Sequence, residues 1–81
     1  MPETFADLLA KCLPDGMSEE AWAIAHKIGV RTLRRAKGRE VRLQRATLER
    51  LAAAMEPIGK DHEKRVAKIA AATEPVGSPL Q

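Results

Sequence analysis

Residues 18–38, SEEAWAIAHKIGVRTLRRAKG, decide the fold, because they encode the start of one helix, a turn and a second helix with two unlike faces. Ser18 is a preferred N-cap residue, and the two glutamates after it suit the positive end of a helix. In a helix from Val30 to Lys37, at about 100° per residue, Leu33 and Ala36 lie on one side. The stretch therefore predicts a helix, a turn and a second, amphipathic helix.

The opposite side of that second helix is basic. Arg31, Arg34 and Arg35 fall at positions i, i+3 and i+4, where like charges repel by roughly 0.2–0.5 kcal/mol per pair. Seven of the fifteen residues from Arg31 to Arg45 are basic, and Glu40 alone among them is acidic. Because no carboxylate is interleaved on the arginine face, that face is most favourable when a polyanion covers it.

Length and composition indicate one small helical domain. The chain has 81 residues, which allows a modest core. Aromatic residues make up 2% of it and β-branched residues are scattered, so a sheet would lack its usual material. We predict an all-α fold, a small bundle of about five helices.

The charge of the chain is unevenly distributed. Residues 27–50 carry nine Lys or Arg against Glu40 and Glu49, whereas the rest of the chain has five basic and nine acidic residues. A basic central block with acidic flanks indicates one cationic surface. The single Cys12 suits a reducing compartment, and no apolar run reaches the length of a membrane span. We expect a cytoplasmic protein with no membrane partner.

Helices are also predicted on both sides of the central stretch. Apolar spacing indicates a first helix over Phe5–Leu13, ended by the turn residues 14–16. Gly38 is expected to stop the basic helix, and Val41 and Leu43 are the expected inward residues of the connection after it.

A fourth helix is predicted to begin near Thr47 and to end at Pro57 and Gly59, and Asp61 is expected to cap the fifth. The expected boundaries are 1–73 for a single domain, about 61–73 for its last helix, and 74–81 for a flexible C-terminal tail.

Two segments of the chain echo each other. Residues 50–59 read RLAAAMEPIG and residues 68–77 read KIAAATEPVG, with six identical positions. Two copies are too few for a solenoid. We interpret them as two alanine-rich helices with the same Pro/Gly stop; the alternative is that each alanine strip packs against a partner subunit.

Residues 18–55 resemble the helix-turn-helix core of the Cro/C1-type (XRE-like) phage and bacterial repressors. The positions that carry the resemblance are Ser18, Ala23, Ile28, Thr32 and Leu33 with Arg35, Gly38, and Thr47 and Leu48 through Leu51 and Ala52. It covers nearly half of the chain and implies a lambda-repressor-like DNA-binding domain, with the helix-turn-helix over about residues 18–38.

Two registers of the turn fit this resemblance. In the first, Lys27 occupies the turn position where the family usually has glycine, and Leu33 and Ala36 face inward. The second register uses Ala25 and Gly29, the spacing of four that the motif prefers, but it requires about two residues to be deleted before Leu33. We prefer the first register because it needs no deletion.

The resemblance and the arginine face predict a sequence-specific, double-stranded DNA-binding transcriptional regulator. It would be a small repressor or autoregulator, of the kind found in phages and mobile elements, acting as a homodimer on a palindromic operator. The expected base-reading residues are Arg31, Thr32, Arg34 and Arg35, with Arg31 and Arg34 as first choices because arginine binds guanine in a bidentate manner. The expected phosphate-binding residues are Ser18, Lys27, Lys37, Arg39, Arg42 and Arg45.

The last helix supplies the candidates for a dimer interface. These residues are Val66, Ile69, Ala70 and Thr73, and the alternative is that they pack on the core of their own chain. If about five phosphates are neutralised, the logarithm of the binding constant should fall with the logarithm of salt at a slope of about −4 to −5.

The same residues support other functions less well. One alternative is a protein-binding antitoxin or antiactivator module on a helix-turn-helix scaffold, and another is RNA binding through the arginine-rich helix. His26, His62 and Cys12 lack metal-ligand spacing, and no nucleophile–base pair or glycine-rich phosphate loop is present. We therefore expect no enzyme activity, no cofactor and no metal, and we assign Trp22 to the core.

Overall fold

The computed structural model of the chain describes residues 3–75 and contains only helices and connections over that range. The helices are α1 (Phe5–Ala10), α2 (Glu19–Ala25), α3 (Val30–Gly38), α4 (Arg45–Ala54) and α5 (His62–Thr73), with a short 3-10 helix over Glu56–Ile58. The predicted all-α class and the count of five α-helices are confirmed. Of the predicted tail 74–81, residues 76–81 lie outside the described residues.

The packing of the helices centres on α5. It contacts α1, α3, α4 and the 3-10 helix, while α2 packs on α3. The largest fully buried side chains are Trp22, Phe5, Leu8, Leu9, Leu51, Met55, Ile69 and Thr73. The assignment of Trp22 to the core is confirmed, with 2% of its surface exposed. Since α1, α2 and α5 all contact α3, the orientation of α3 is fixed from its buried side.

Side-chain caps begin two of the helices as the sequence predicts. Ser18 Oγ accepts a hydrogen bond from the Ala21 N–H at 3.1 Å, and Asp61 Oδ1 accepts one from the Lys64 N–H at 3.1 Å. Each such cap satisfies a main-chain donor that has no partner within the helix, and is worth about 1 kcal/mol. The two caps place the starts of α2 and α5 at the predicted residues.

The first helix is shorter than predicted. It ends at Ala10 rather than Leu13, although the Cys12 and Leu13 N–H groups still donate to the Leu9 carbonyl at 2.9 and 3.1 Å. Pro14 explains the difference, because a proline disfavours the helical conformation of the residue before it. Cys12 and Leu13 remain half-buried against the core.

The connection between α3 and α4 also differs from the prediction. Val41 was expected to point inward, but 45% of its surface is exposed, whereas Leu43 is half-buried against the core. The connection runs over the surface and turns into α4 at Gln44, three residues before Thr47. A segment this short brings only one of its apolar side chains onto the core.

The two echoing segments form the ends of neighbouring helices. Leu51 and Met55 of the first copy and Ile69 and Thr73 of the second occupy matching positions, and all four are buried. Since α4 packs on α5, both copies turn these residues into the same core. This packing agrees with the interpretation as two similar helix ends; residues 76 and 77 of the second copy lie outside the described range.

Arg65 joins α5 to the end of α4. Only 7% of its surface is exposed, and its Nε and Nη1 donate to the carbonyls of Ala52 and Gly59, each at 2.8 Å. The Ala52 carbonyl also accepts a longer bond from the Met55 N–H at 3.3 Å, and a cation is favourable at this end of the helix. Arg65 therefore holds the turn between α4 and α5 closed.

Candidate nucleic-acid interface

The turn between α2 and α3 has the hydrogen bonds of a Schellman motif. The Ile28 N–H donates to the Ala23 carbonyl at 2.8 Å and the Lys27 N–H donates to the Ile24 carbonyl at 3.1 Å. Lys27 has a φ of 58°, the left-handed conformation that this position requires and that glycine adopts most easily. The turn therefore has its left-handed residue at Lys27.

This geometry agrees with the first of the two registers. In that register Lys27 stands where the family usually has glycine, and Leu33 and Ala36 face inward; both are buried. Gly29 has an ordinary φ of −61° and serves as the N-cap of α3. The second register, which relied on Gly29 for the turn, is not supported.

A second left-handed residue ends α3. Gly38 was expected to stop this helix, but it is the last helical residue, and Arg39 after it has a φ of 53°. A Cβ on Gly38 would come within 3.0 Å of the Glu40 carboxylate, so glycine leaves room for that side chain to fold back. The chain thus leaves α3 at Arg39, one residue later than predicted.

The outer face of α3 carries the three arginines. Arg31, Arg34 and Arg35 are exposed, and Thr32 is half-buried. Among residues 3–75, no carboxylate lies within ion-pair distance of any of these three guanidinium groups. They therefore form a cluster of like charges that the described part of the chain does not neutralise.

Two grooves flank this arginine face. One, of about 250 Å³, is lined on the α3 side by Thr32 and Arg35 and on the other side by Arg42 and the start of α4. The other, of about 230 Å³, lies between α2 and α3, and Glu19 and Glu20 line it together with Arg34 and Lys37. Arg31 lines neither groove and lies between them on the helix. It is the central residue of the face.

The basic residues after Arg35 are in a different electrostatic setting, because most of them have acidic partners. Lys37 Nζ lies 2.6 Å from Glu19 Oε1 on α2. Arg42 Nη2 lies 3.1 Å from Glu74 Oε1, and Arg39 Nε donates to the Glu74 main-chain carbonyl at 2.8 Å. The end of α5 is thus tied to the segment that follows α3.

Arg45 has the most extensive acidic contacts. Its Nε donates to Glu49 Oε2 at 2.9 Å, and its Nη2 donates to the two carboxylate oxygens of Glu63 at 2.8 and 3.0 Å. These hydrogen bonds, to Glu49 and to Glu63, raise the pKa of Arg45 above its already high value. Its guanidinium carries a full positive charge that two carboxylates share.

Lys27 and Ser18, the two remaining candidates for phosphate binding, are unlike each other. The Lys27 side chain is exposed and makes no hydrogen bond or ion pair with residues 3–75. Ser18 Oγ already accepts the Ala21 N–H, and Glu19 and Glu20 place two carboxylates on the same first turn. These carboxylates would repel a phosphate, so the structure gives Ser18 a capping role and its binding of phosphate stays a prediction.

No family model, no curated protein and no solved structure matches this chain. The site is therefore interpreted from its own residues.

Three of the four dimer candidates lie inside the protein. Val66, Ile69 and Thr73 are buried, and the Thr73 hydroxyl donates to the Ile69 carbonyl at 2.9 Å. They pack on the core of their own chain, which is the alternative that the sequence left open. Ala70 alone among the four is partly exposed, on the wall of a groove of about 510 Å³ between α4 and α5.

Sequence reasoning missed the acidic partners of the basic segment. Glu19, Glu63 and Glu74 come from α2 and from the two ends of α5, far from residues 37–45 along the chain. The one sequence signal for them was the excess of acidic residues outside residues 27–50, which showed that carboxylates were available but not where they lie.

Two further observations bear on other kinds of site. Within residues 3–75, no group of three or more His, Cys, Asp or Glu side chains is placed to hold a metal ion. None of the helices in that range combines the length and the apolar composition needed to cross a membrane.

Proposed function

We propose that this chain is a sequence-specific, double-stranded DNA-binding transcriptional regulator, in which α2 and α3 form a helix-turn-helix and α3 enters the major groove. The observation that carries the proposal is the face of α3: Arg31, Arg34 and Arg35 are exposed and have no acidic partner among residues 3–75, while Leu33 and Ala36 on the opposite side are buried. This face of α3 carries three positive charges and no acidic residue of its own, and Glu19 and Glu20 of α2 border it beside Arg34.

Arginine suits the proposed reading of bases. Its planar guanidinium donates two parallel hydrogen bonds to the O6 and N7 atoms of guanine, the commonest specific contact in the major groove. Arg31, at the centre of the face, and Arg34 are assigned to base edges. Thr32 and Arg35 lie beside the groove shared with Arg42, and they are assigned to the edge of the contact.

The other basic residues are assigned to the DNA backbone. Lys27, Lys37, Arg39, Arg42 and Arg45 lie in the turn before α3, at its last turn and in the segment after it. Contacts from such positions fix the orientation of a recognition helix without reading sequence. Ser18 is left out of this set because of the two glutamates beside it.

A domain of this size gains affinity and specificity by binding two half-sites. We therefore propose a homodimer on a palindromic operator, with half-sites about 34–36 Å apart, one helical turn of DNA. The resemblance to Cro/C1-type repressors supports a small repressor or autoregulator. Protein binding by an antitoxin or antiactivator remains the alternative, and it predicts no enriched duplex in the experiment below.

Selection of bound duplexes from a random pool tests the proposal. The expected result is a palindrome with the half-site spacing given above, and the absence of enrichment at moderate salt would reject DNA reading. Structured RNA is then added as competitor at equal salt; if it displaces the duplex, the ligand is RNA.

The double variant R31A/R34A tests the assignment of residues. Each lost bidentate contact should weaken binding to the selected duplex by about 1–3 kcal/mol. The matched control is R50A/K60A, which removes two exposed positive charges that make no ion pair with residues 3–75 and lie outside α3. If both double variants bind the selected duplex equally, base reading by Arg31 and Arg34 is wrong.

A further inference from the structure

Two arginines assigned to the DNA backbone are already held by carboxylates of the same chain. Arg42 has the Glu74 carboxylate at 3.1 Å, and Arg45 has those of Glu49 and Glu63 at 2.9 and 2.8 Å. The distances at Arg45 are those at which an arginine donates to an ionised oxygen, whether of a carboxylate or of a phosphate, and Arg42 forms an ion pair with Glu74. The three carboxylates thus take the places that phosphate oxygens would occupy.

The arginines of α3 differ from Arg42 and Arg45 in this respect. Arg31, Arg34 and Arg35 have no such partner within residues 3–75, so the described carboxylates pair with two of the three arginines assigned to the backbone and with none of those assigned to bases. Glu63 and Glu74 reach the cluster from opposite ends of α5, and Glu49 reaches it from one turn further along α4. The cover is therefore built by the fold rather than by neighbours in sequence alone.

We propose that Glu49, Glu63 and Glu74 are intramolecular competitors for phosphate, which limit the affinity of this surface for any polyanion irrespective of sequence. The inference rests on the proposed function only in taking duplex DNA as the physiological polyanion. Sequence-independent affinity comes from released counterions, one set for each phosphate that a cation neutralises. An arginine that keeps its carboxylate neutralises no phosphate, so generic binding is weakened while the contribution of α3 is preserved.

The pairs are reversible, because all the side chains involved are largely exposed. Arg42 is 73% exposed and Arg45 is 58% exposed, and ion pairs in such positions are weak and screened by salt. The carboxylates are nevertheless always present at contact distance, whereas a phosphate must arrive from solution. Their effect should therefore be a modest reduction in affinity.

The test compares two triple variants with the same change in net charge. The uncovering variant, E49Q/E63Q/E74Q, removes the carboxylates that pair with Arg42 and Arg45. The matched control E3Q/D15N/E56Q removes three exposed carboxylates, none of which contacts a basic residue of the segment 37–45. Arg39 is not part of the comparison, because its partner is the main-chain carbonyl of Glu74.

Two measurements use probes that need no operator: binding to a duplex of mixed sequence over a range of salt, and the salt needed for elution from phosphocellulose. If both arginines each gain a phosphate, the slope of the logarithm of the binding constant against the logarithm of salt becomes more negative by about 1.8. The affinity near 0.1 M salt then rises on the order of 10-fold relative to the control. Adding R42A/R45A to the uncovering variant should remove that gain.

The proposal is overturned if the uncovering variant and the control bind and elute alike, or if the gain survives R42A/R45A. It is likewise overturned if the uncovering variant differs from the control only in thermal stability, since the carboxylates would then have a purely structural role. Failure of the duplex selection would reject the proposed function but leaves the phosphocellulose comparison intact. The two ideas can therefore fail separately.

Discussion

Lys27 holds a left-handed backbone conformation, at a φ of 58°, without being glycine. For an L-residue this conformation is less favourable than for glycine by about 1–2 kcal/mol. Glycine also loses more conformational freedom on folding, which offsets roughly 0.4–1 kcal/mol of that gain. The two terms together allow about 0–1.6 kcal/mol, and from the middle of that range we expect Lys27→Gly to stabilise the folded protein by about 0.5–1 kcal/mol.

Nothing in the turn depends on the Lys27 side chain. The side chain is exposed, and the two hydrogen bonds that close the turn join main-chain atoms, from the Lys27 N–H to Ile24 and from the Ile28 N–H to Ala23. Glycine retains both bonds. The expected change in the free energy of unfolding is thus set by the backbone alone.

Thermal unfolding followed by far-ultraviolet circular dichroism measures this change. For a domain of this size, about 1 kcal/mol shifts the midpoint by about 4–8 °C, so Lys27→Gly should raise it by about 2–8 °C. Lys27→Ala is the matched control, because it removes the same charge and keeps the left-handed strain. No comparable rise is expected from it.

Arg39, at a φ of 53°, provides a second comparison. Arg39→Gly relieves the same strain but loses the hydrogen bond from Nε to the Glu74 carbonyl, worth about 0.5–1.5 kcal/mol, so the net change should be near zero. The reasoning is refuted if Lys27→Gly fails to raise the midpoint. It is refuted as well if Lys27→Ala raises the midpoint equally, because relief of charge repulsion would then explain the gain.

Two further predictions concern groups inside the bundle. Arg65→Met removes two hydrogen bonds from a buried guanidinium; it leaves the Gly59 carbonyl without this donor and the Ala52 carbonyl with the longer bond from the Met55 N–H at 3.3 Å. The free energy of unfolding should therefore fall by about 2–4 kcal/mol in urea denaturation, and Arg65→Lys should recover part of it. Equal stability of Arg65→Met and the parent chain would contradict this role. Burial raises the pKa of the Cys12 thiol by more than the nearby Lys11 lowers it. Alkylation by iodoacetamide near about pH 8 should therefore be slower in the folded protein than in the urea-unfolded chain. An equal or faster rate in the folded protein would show that the thiol is accessible and ionised.

Local patterns predicted the helices well, because they depend on neighbouring residues. The caps at Ser18 and Asp61 and the buried positions Leu33 and Ala36 each follow from a spacing of three or four residues, which a helix fixes. The predictions were wrong at residues that lie outside the regular spacing of a helix. Leu13 lost its helical conformation to the proline after it, and Val41 lies in a segment with no period to place it.

The dimer candidates show a different limit. The apolar spacing of Val66, Ile69 and Thr73 correctly identified one face of the last helix, but spacing cannot tell whether the face meets its own core or a second chain. Packing decided that question, since α5 contacts three other α-helices of the bundle. For the same reason the partners of Arg42 and Arg45 could not be assigned from sequence: Glu63 and Glu74 become neighbours of these arginines only after α5 has packed.

The two halves of the basic stretch differ in a way that helical geometry alone would not require. Neutralising the α3 arginines would take only a glutamate one turn away, and an i,i+4 pair of that kind does form between Arg45 and Glu49. On α3 the chain has no carboxylate at such a spacing, so each pair among its three arginines keeps a repulsion of roughly 0.2–0.5 kcal/mol. Each pair is weak beside the stabilisation from burying Leu33, at about 1.5–3 kcal/mol, so the fold tolerates the cluster. The proposed DNA-binding function gives this cationic face, which the fold tolerates without requiring it, a ligand to bind.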